Sequence, residues 1–337
     1  MTEFAVQLIG VERPAIYEER LTTSKSLAKL LAGEVVRLVP TGETHPGWIH
    51  VSRVAGLATG WLEERFIDVQ LSDLAPPAID DVNLFARHCV RAEVSMNTGG
   101  ADGSPAVLAE YLLVLAQIET KLDVANFGEK VSSDPVGPFQ ISVSRWKEFL
   151  SDKSTGSHFD VASRSFPFSQ IWGAAHLAQL DMNAFSEIES QRTPPTAPSG
   201  PFVPSFLNVF HAWMLGVQAA HAVFVAHQDD ALNPDLDTIL SPHLSAGALK
   251  VLKSNKSALV TDNGAAITVD DFFLRSANRL ALEFEIATKL LRNAAPVAMA
   301  AQNAARAGTA PWMGWVDGEF NAWKGLKETD SGGAGKS

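Results

Sequence analysis

The sequence predicts a mainly α-helical protein preceded by a small all-β barrel, and three observations carry that prediction. Short runs of Val, Ile, Leu and Trp, separated by Gly and Pro, fill residues 1–73, as a set of short strands requires. From residue 80 onward the apolar residues recur at spacings of three and four, the period of helices with one buried face. Between the two regimes, the paired prolines of LAPPAIDD at 74–81 interrupt both kinds of regular structure. The expected organisation is a β domain over 1–73, a helical domain over 80–260, a helical extension over 261–328 and a Gly/Ser-rich disordered tail over 329–337.

Within the β domain, GEVVRLVP has the residue density of a strand. GWIHVSRV sets Trp48, His50 and Ser52 against Ile49, Val51 and Arg53. A turn at AGLATGW leads to a last extended piece reaching Phe66 and Val69, giving three or four strands. The helical part opens with VNLFARHCVRAEVSM. After the loop NTGGADG, Ser104 and Pro105 supply a helix start signal, with Ser as cap and Pro in the first turn. The helix that follows puts Leu108, Leu112, Leu115 and Ile118 on one stripe. DVANFGEKVSSDPVGP reads as turns, and a short helix occupies 144–150. IWGAAHLAQLDMNAF forms another helix, and the proline-rich QRTPPTAPSGPFVP is a stiff loop. FLNVFHAWMLGVQAAHAVFVAH is helical with a break near Gly216. Thr268 and Asp271 resemble a capping box ahead of a stripe of Phe273, Ala277, Leu280, Phe284 and Leu291.

Composition removes several function classes. With 337 residues, 46% hydrophobic and 19% charged, the chain is neither disordered throughout nor collagen-like, and it can bury a large core. Its 38 acidic residues against 27 basic ones leave a net charge of -11, a poor match to nucleic acid or an anionic membrane. A single cysteine, Cys89, excludes an internal disulfide framework and a thiolate metal cage. Apolar stretches are too short for a transmembrane segment, or are interrupted, as 206–226 is by Asn208, His211, Gln218 and His221. Phosphate-loop, dinucleotide and His-Glu-x-x-His patterns are absent from the sequence, so neither a cofactor nor a metal is expected. The opening MTEFAVQLIGVERP lacks the features of a secretory signal.

The chemistry-bearing feature is Glu119, a carboxylate at the end of a very apolar helix, followed downstream by Gly137-Pro138-Phe139-Gln140-Ile141. Apolar surroundings and a helix C-terminus both disfavour a carboxylate anion, which is what a general acid in glycosidic cleavage needs. The residue also admits an ordinary reading, since Glu is a good helix former on a wet face.

The blocks around it, in order, resemble the lytic transglycosylase and goose-type lysozyme superfamily. These are Gln117-Ile118-Glu119-Thr120, Gly137 to Ile141 with Ser144-Arg145-Trp146, Phe159-Asp160, and Gln170-Ile171-Trp172-Gly173-Ala174-Ala175-His176-Leu177. Phe206 to Gly216 with Ala219 and Ala220 is similar to a segment of phage-associated and secreted members, as are Asn255 to Leu259 and Ala266 to Phe273. The resemblance spans about 82–275 and implies a lysozyme-like domain acting on peptidoglycan. It makes Glu119 the general acid and base of a lytic transglycosylase that cleaves between N-acetylmuramic acid and N-acetylglucosamine and leaves a 1,6-anhydro end. Gln140 would bind substrate or orient the site, with Thr120 bonding locally and Phe139 and Ile141 supporting the turn. His211 falls where the family has a polar Tyr-Asn pair, and it reads either as a polar site residue or as a packed helix residue.

Four departures accompany the resemblance, one of them a loop from Glu119 to Gln140 that is a few residues longer than is common in the family. Thr120 stands for the usual Ser, Pro138 for the usual Leu, and the only tyrosines are Tyr17 and Tyr111. A hydrolytic muramidase would need a second carboxylate, for which Asp123, Glu129, Asp134 and Asp160 are candidates and Asp134 the choice. A noncatalytic wall-binding or secretion-associated module is the reading from another class.

Residues 21–39, Gly47-Trp48-Ile49-His50-Val51 and Gly60-Trp61 to Phe66 resemble a bacterial SH3-type domain, which implies contact with wall peptides. Trp48 and Trp61 either pack the small barrel or leave one indole exposed to bind, and core packing is the better reading of Trp61. The implied partners are peptidoglycan glycan strands, wall peptides, and a secretion or phage apparatus. That apparatus would carry a cytoplasmically made chain to the periplasm or cell wall.

Overall fold

A computed structural model of the protein describes residues 4–7, 14–30, 35–43, 45–53, 58–66, 81–97, 107–122, 134–152, 156, 159–161, 164, 167–192, 202–228, 233–255 and 267–294. The 74–80 linker, the Ser104-Pro105 start signal, Asp123, Glu129 and the 329–337 tail lie outside these residues.

The N-terminal region is a six-stranded antiparallel sheet. Its strands are β1 (Phe4–Gln7), β2 (Ala15–Tyr17), β3 (Ser26–Lys29), β4 (Val35–Leu38), β5 (Trp48–Arg53) and β6 (Thr59–Glu63), in the order β1-β4-β5-β6-β2-β3. Register places Val51 opposite Gly60 and His50 opposite Trp61. Ile16, Leu30, Val36, Val51, Leu62 and Phe66 meet in its apolar core. Gly60 is required where β2 passes, because a Cβ there would lie 2.3 Å from the carbonyl oxygen of Tyr17. Trp61 corrects an expectation. It is half-buried and stays outside this core, its ring held by polar neighbours described below.

The remainder is mostly helical: α1 (Asp81–Asn97), α2 (Ala109–Thr120), α3 (Val143–Ser151), α4 (Pro167–Ser190), α5 (Phe206–Leu215), α6 (Val217–His227), α7 (Leu236–Leu240), α8 (Ala246–Asn255) and α9 (Val269–Ala294). Among the described residues no helix is long and apolar enough to cross a membrane. The chain divides into two compact units. One comprises Met1–Ala92, Ala116–Leu177 and Asn293–Ala295, the other Glu93–Leu115, Ala178–Arg292 and Pro296–Ser337.

Helix α2 is buried on all sides, with every residue from 107 to 116 in the interior. It begins at Ala109, several residues after the start signal read from Ser104 and Pro105. The buried carboxylate of Glu93 accepts the Ala109 N–H at 2.8 Å, so a side chain distant in sequence satisfies a donor at the helix N-terminus. Ser205 caps α5 by accepting the Asn208 N–H at 3.1 Å. Gly216, at φ 82, separates α5 from α6 in a conformation that disfavours a side chain. Thr268 accepts the Asp271 N–H at 3.2 Å, making one half of the capping box read from the sequence. The Phe273, Ala277, Leu280, Phe284 and Leu291 stripe of α9 is buried.

Candidate functional site

The candidate site is assembled within the first unit, where the end of α2 meets the turn at 136–141. Glu119 occupies the last turn of α2 and is half-buried. Lys121 and Leu122 follow at φ 58 and 49, and this left-handed pair stops the helix just past the carboxylate. Thr120 turns back: its hydroxyl donates to the Ala116 carbonyl at 3.0 Å and to the Pro138 carbonyl at 3.2 Å. The residue after Glu119 is therefore tied directly to the segment that carries Gln140.

That segment is a tight turn closed by a bridge between Val136 and Ile141, with the Ile141 N–H donating to Val136 at 3.1 Å. Gly137 lies at φ 75 and Gln140 at φ 49. The Gln140 side-chain amide donates to the Gly137 carbonyl at 2.7 Å, which stabilises an otherwise unfavourable backbone for a non-glycine residue. Phe139 and Ile141 point into the core with 0% and 1% exposure, Phe139 packing 5.7 Å from the Phe85 ring. Both thus support the turn from beneath.

Two residues that the sequence reading gave no role hold this turn in place. Gln170, fully buried near the start of α4, donates to the carbonyls of Val136 at 2.9 Å and Arg164, and accepts the Phe139 N–H at 3.3 Å. The fit is close, since a Cβ on Gly137 would fall 2.2 Å from the Gln170 amide nitrogen. Arg164 donates to the Ile141 carbonyl at 3.0 Å and pairs with Asp134 at 2.8 Å. The available signal was Gln170 itself, a polar residue heading an apolar helix whose side chain needs buried partners. No comparable local signal marks Arg164.

Asp134 is half-exposed. Its Oδ1 accepts from Arg164 and, at 2.9 Å, from the Val143 N–H at the start of α3. It thus anchors the turn to a helix N-terminus, where a carboxylate is favoured. Asp160 contributes its backbone carbonyl, which accepts the Trp146 indole N–H at 2.8 Å.

His211 belongs to the second unit. It is fully buried on α5, 4.4 Å from the Phe272 ring and 4.8 Å from Phe273, and neither ring nitrogen has a hydrogen-bond partner among the described residues. Burial, reinforced by His227, pushes its pKa down to about 3, so it is a neutral imidazole at physiological pH.

Taken together, the first unit joins Thr120, Phe139, Gln140, Ile141 and Asp134 through one bonded cluster beside Glu119. Among the described residues no group of three or more His, Cys, Asp or Glu side chains is arranged to hold a metal ion. Compared with known proteins, the chain matches no protein-family model and no curated protein.

Proposed function

We propose that the protein is a peptidoglycan-cleaving glycosidase, a lytic transglycosylase with Glu119 as its general acid and base. The observation that carries this reading is the hydrogen bond from Thr120 to Pro138, which ties the helix end bearing Glu119 to the turn bearing Gln140. That bond supports treating the two sequence blocks as parts of one site, with the Glu119 carboxyl on one block and the Gln140 amide on the other.

In the proposed reaction the Glu119 carboxyl gives its proton to the oxygen linking C1 of N-acetylmuramic acid to C4 of N-acetylglucosamine, and the C1–O bond breaks. The resulting carboxylate then takes the proton of the muramoyl C6 hydroxyl as O6 bonds to C1. A 1,6-anhydro end results, and Glu119 is reprotonated for the next cycle. Gln140, its amide already fixed on Gly137, positions the turn and leaves its carbonyl oxygen for a sugar hydroxyl or amide.

A hydrolytic muramidase is the second reading, with Asp134 handling the water. Both described bonds to Asp134 Oδ1 are structural, which favours the transglycosylase. In this proposal the N-terminal sheet is an SH3-type barrel that contacts wall peptides. The enzyme degrades the wall of a target cell outside the cytoplasm, after delivery by a specialised secretion or phage route.

The test is mass spectrometry of soluble muropeptides released from purified peptidoglycan, with Glu119→Gln in parallel. Anhydromuramoyl products lost in the variant are expected. Reducing muramoyl ends lost in the variant would make the protein a muramidase. No product from walls of several chemotypes would overturn catalysis in favour of a noncatalytic wall-binding module.

A further inference from the structure

The N-terminal sheet carries a groove of about 580 Å³, within the size range of small-ligand sites and lined by Glu18, Glu19, Arg20, His45, Trp48 and Trp61 among others. Its contents are unusual for a surface hollow. The Arg20 guanidinium lies over the Trp61 ring, 5.2 Å from its centroid. Arg20 also donates to His45 Nδ1 at 2.5 Å, and the His45 and Trp61 rings stand perpendicular with their centroids 4.6 Å apart. His50 lies against the same indole at 4.8 Å, while the Trp48 and Tyr17 rings are T-shaped at 6.0 Å. Trp61 is thus an indole already holding a cation, and the cation is an exposed side chain of the protein itself.

The charge around that cation is asymmetric. Glu18 and Glu19 are both exposed in the groove wall, and neither carboxylate has an ion-pair or hydrogen-bond partner among the described residues. Two carboxylates against one guanidinium leave the groove anionic, and an indole face attracts a cation through its quadrupole.

We propose that this groove is a binding site for an ammonium-bearing peptide side chain, of the lysine or diamino-acid type, and that Arg20 occupies part of it as an internal competitor. The guest ammonium sits between the Glu18 and Glu19 carboxylates and the indoles of Trp48 and Trp61, and Arg20 swings out to solvent when it enters. Removing Arg20 should therefore improve binding, the opposite of what deleting a contact residue does. The site deepens the proposed contact of the N-terminal sheet with wall peptides and rests on that reading, while it is independent of Glu119 and stands or falls separately from the glycosidase reading.

The experiment titrates the full-length protein with the peptide acetyl-Ala-Lys-Ala-amide and with its Nε-acetylated counterpart, following the indole N–H resonances of Trp48 and Trp61 by NMR. The expected result is saturable shifts with the lysine peptide only. Binding should be about threefold or more weaker in the double variant Glu18→Gln/Glu19→Gln and about twofold or more tighter in Arg20→Ala. All these substitutions are at exposed positions, and circular dichroism verifies that the fold is kept. Equal shifts with the acetylated peptide, unchanged affinity in the double Gln variant, or no shift at the highest soluble concentration would overturn the site. Weaker binding in Arg20→Ala would overturn the competitor role and recast Arg20 as a contact for an anionic group.

Discussion

Thr120 shows how much depends on one hydroxyl. Replacing it by Val keeps the shape and removes both of its hydrogen bonds, including the tie to Pro138. A loss of about 1 kcal/mol in unfolding free energy is expected by chemical denaturation. Thr120→Ser retains the donor and should stay close to the parent in stability. If the site is catalytic, muropeptide release should fall in the Val variant and be restored in the Ser variant. The sequence placed Thr120 beside Glu119 and named its capacity for local bonding. It could not supply the partner, since Pro138 comes into reach only when the turn has closed. Trp61 illustrates a different failure. A Gly-Trp pair ending a strand reads as a packed indole, but which face of a short twisted strand meets the core depends on register, and here the ring went to the groove.

Among the elements, the turn at 136–141 is the most sensitive to substitution. Gln170→Leu would leave the carbonyls of Val136 and Arg164 and the N–H of Phe139 without this buried partner. The expected loss is about 3 kcal/mol or more, as a lowered denaturation midpoint. Gly137→Ala combines a left-handed φ with overlap on Gln170 and should cost about 2 kcal/mol or more in the same assay. Elements with strong periodicity were legible. The α9 stripe, the break at Gly216 and the β4–β6 strands all follow from local residue pattern. Strands β2 and β3 were not, because AIY and SLAK are too short, and the second too poor in β-branched residues, to signal a strand. Their pairing supplies what propensity does not. The start of α2 was displaced for the same kind of reason, its N-terminal donor being met by Glu93 from another helix.

At the scale of the molecule, each compact unit contains a histidine buried in neutral form. His88 in the first unit and His211 in the second are both pushed down to about 3 by desolvation. In the unfolded chain each would titrate near 6.5, so the unfolded state takes up protons first as pH falls. Their contribution to stability is complete above pH 6.5 and is lost progressively toward pH 3, by several kcal/mol per histidine. Thermal melts should therefore show a falling transition temperature through that interval. His211→Phe, which keeps a ring against Phe272, should reduce the acid sensitivity relative to the parent. An unchanged pH profile in that variant would assign the acid response elsewhere. The division into units was not legible, since periodicity reports the faces of helices and not which helix they cover.

The turn beside Glu119 is fixed through its main chain. Gln170, Arg164, Thr120 and Gln140 all bond to peptide groups of that loop, and none of these bonds needs a particular side chain at Pro138. Pro138 is itself buried, so a lineage that exchanged it would have to fit the new side chain into the space beneath the turn. The backbone course of the turn would outlast such an exchange, and the four anchoring side chains would be the positions slowest to drift.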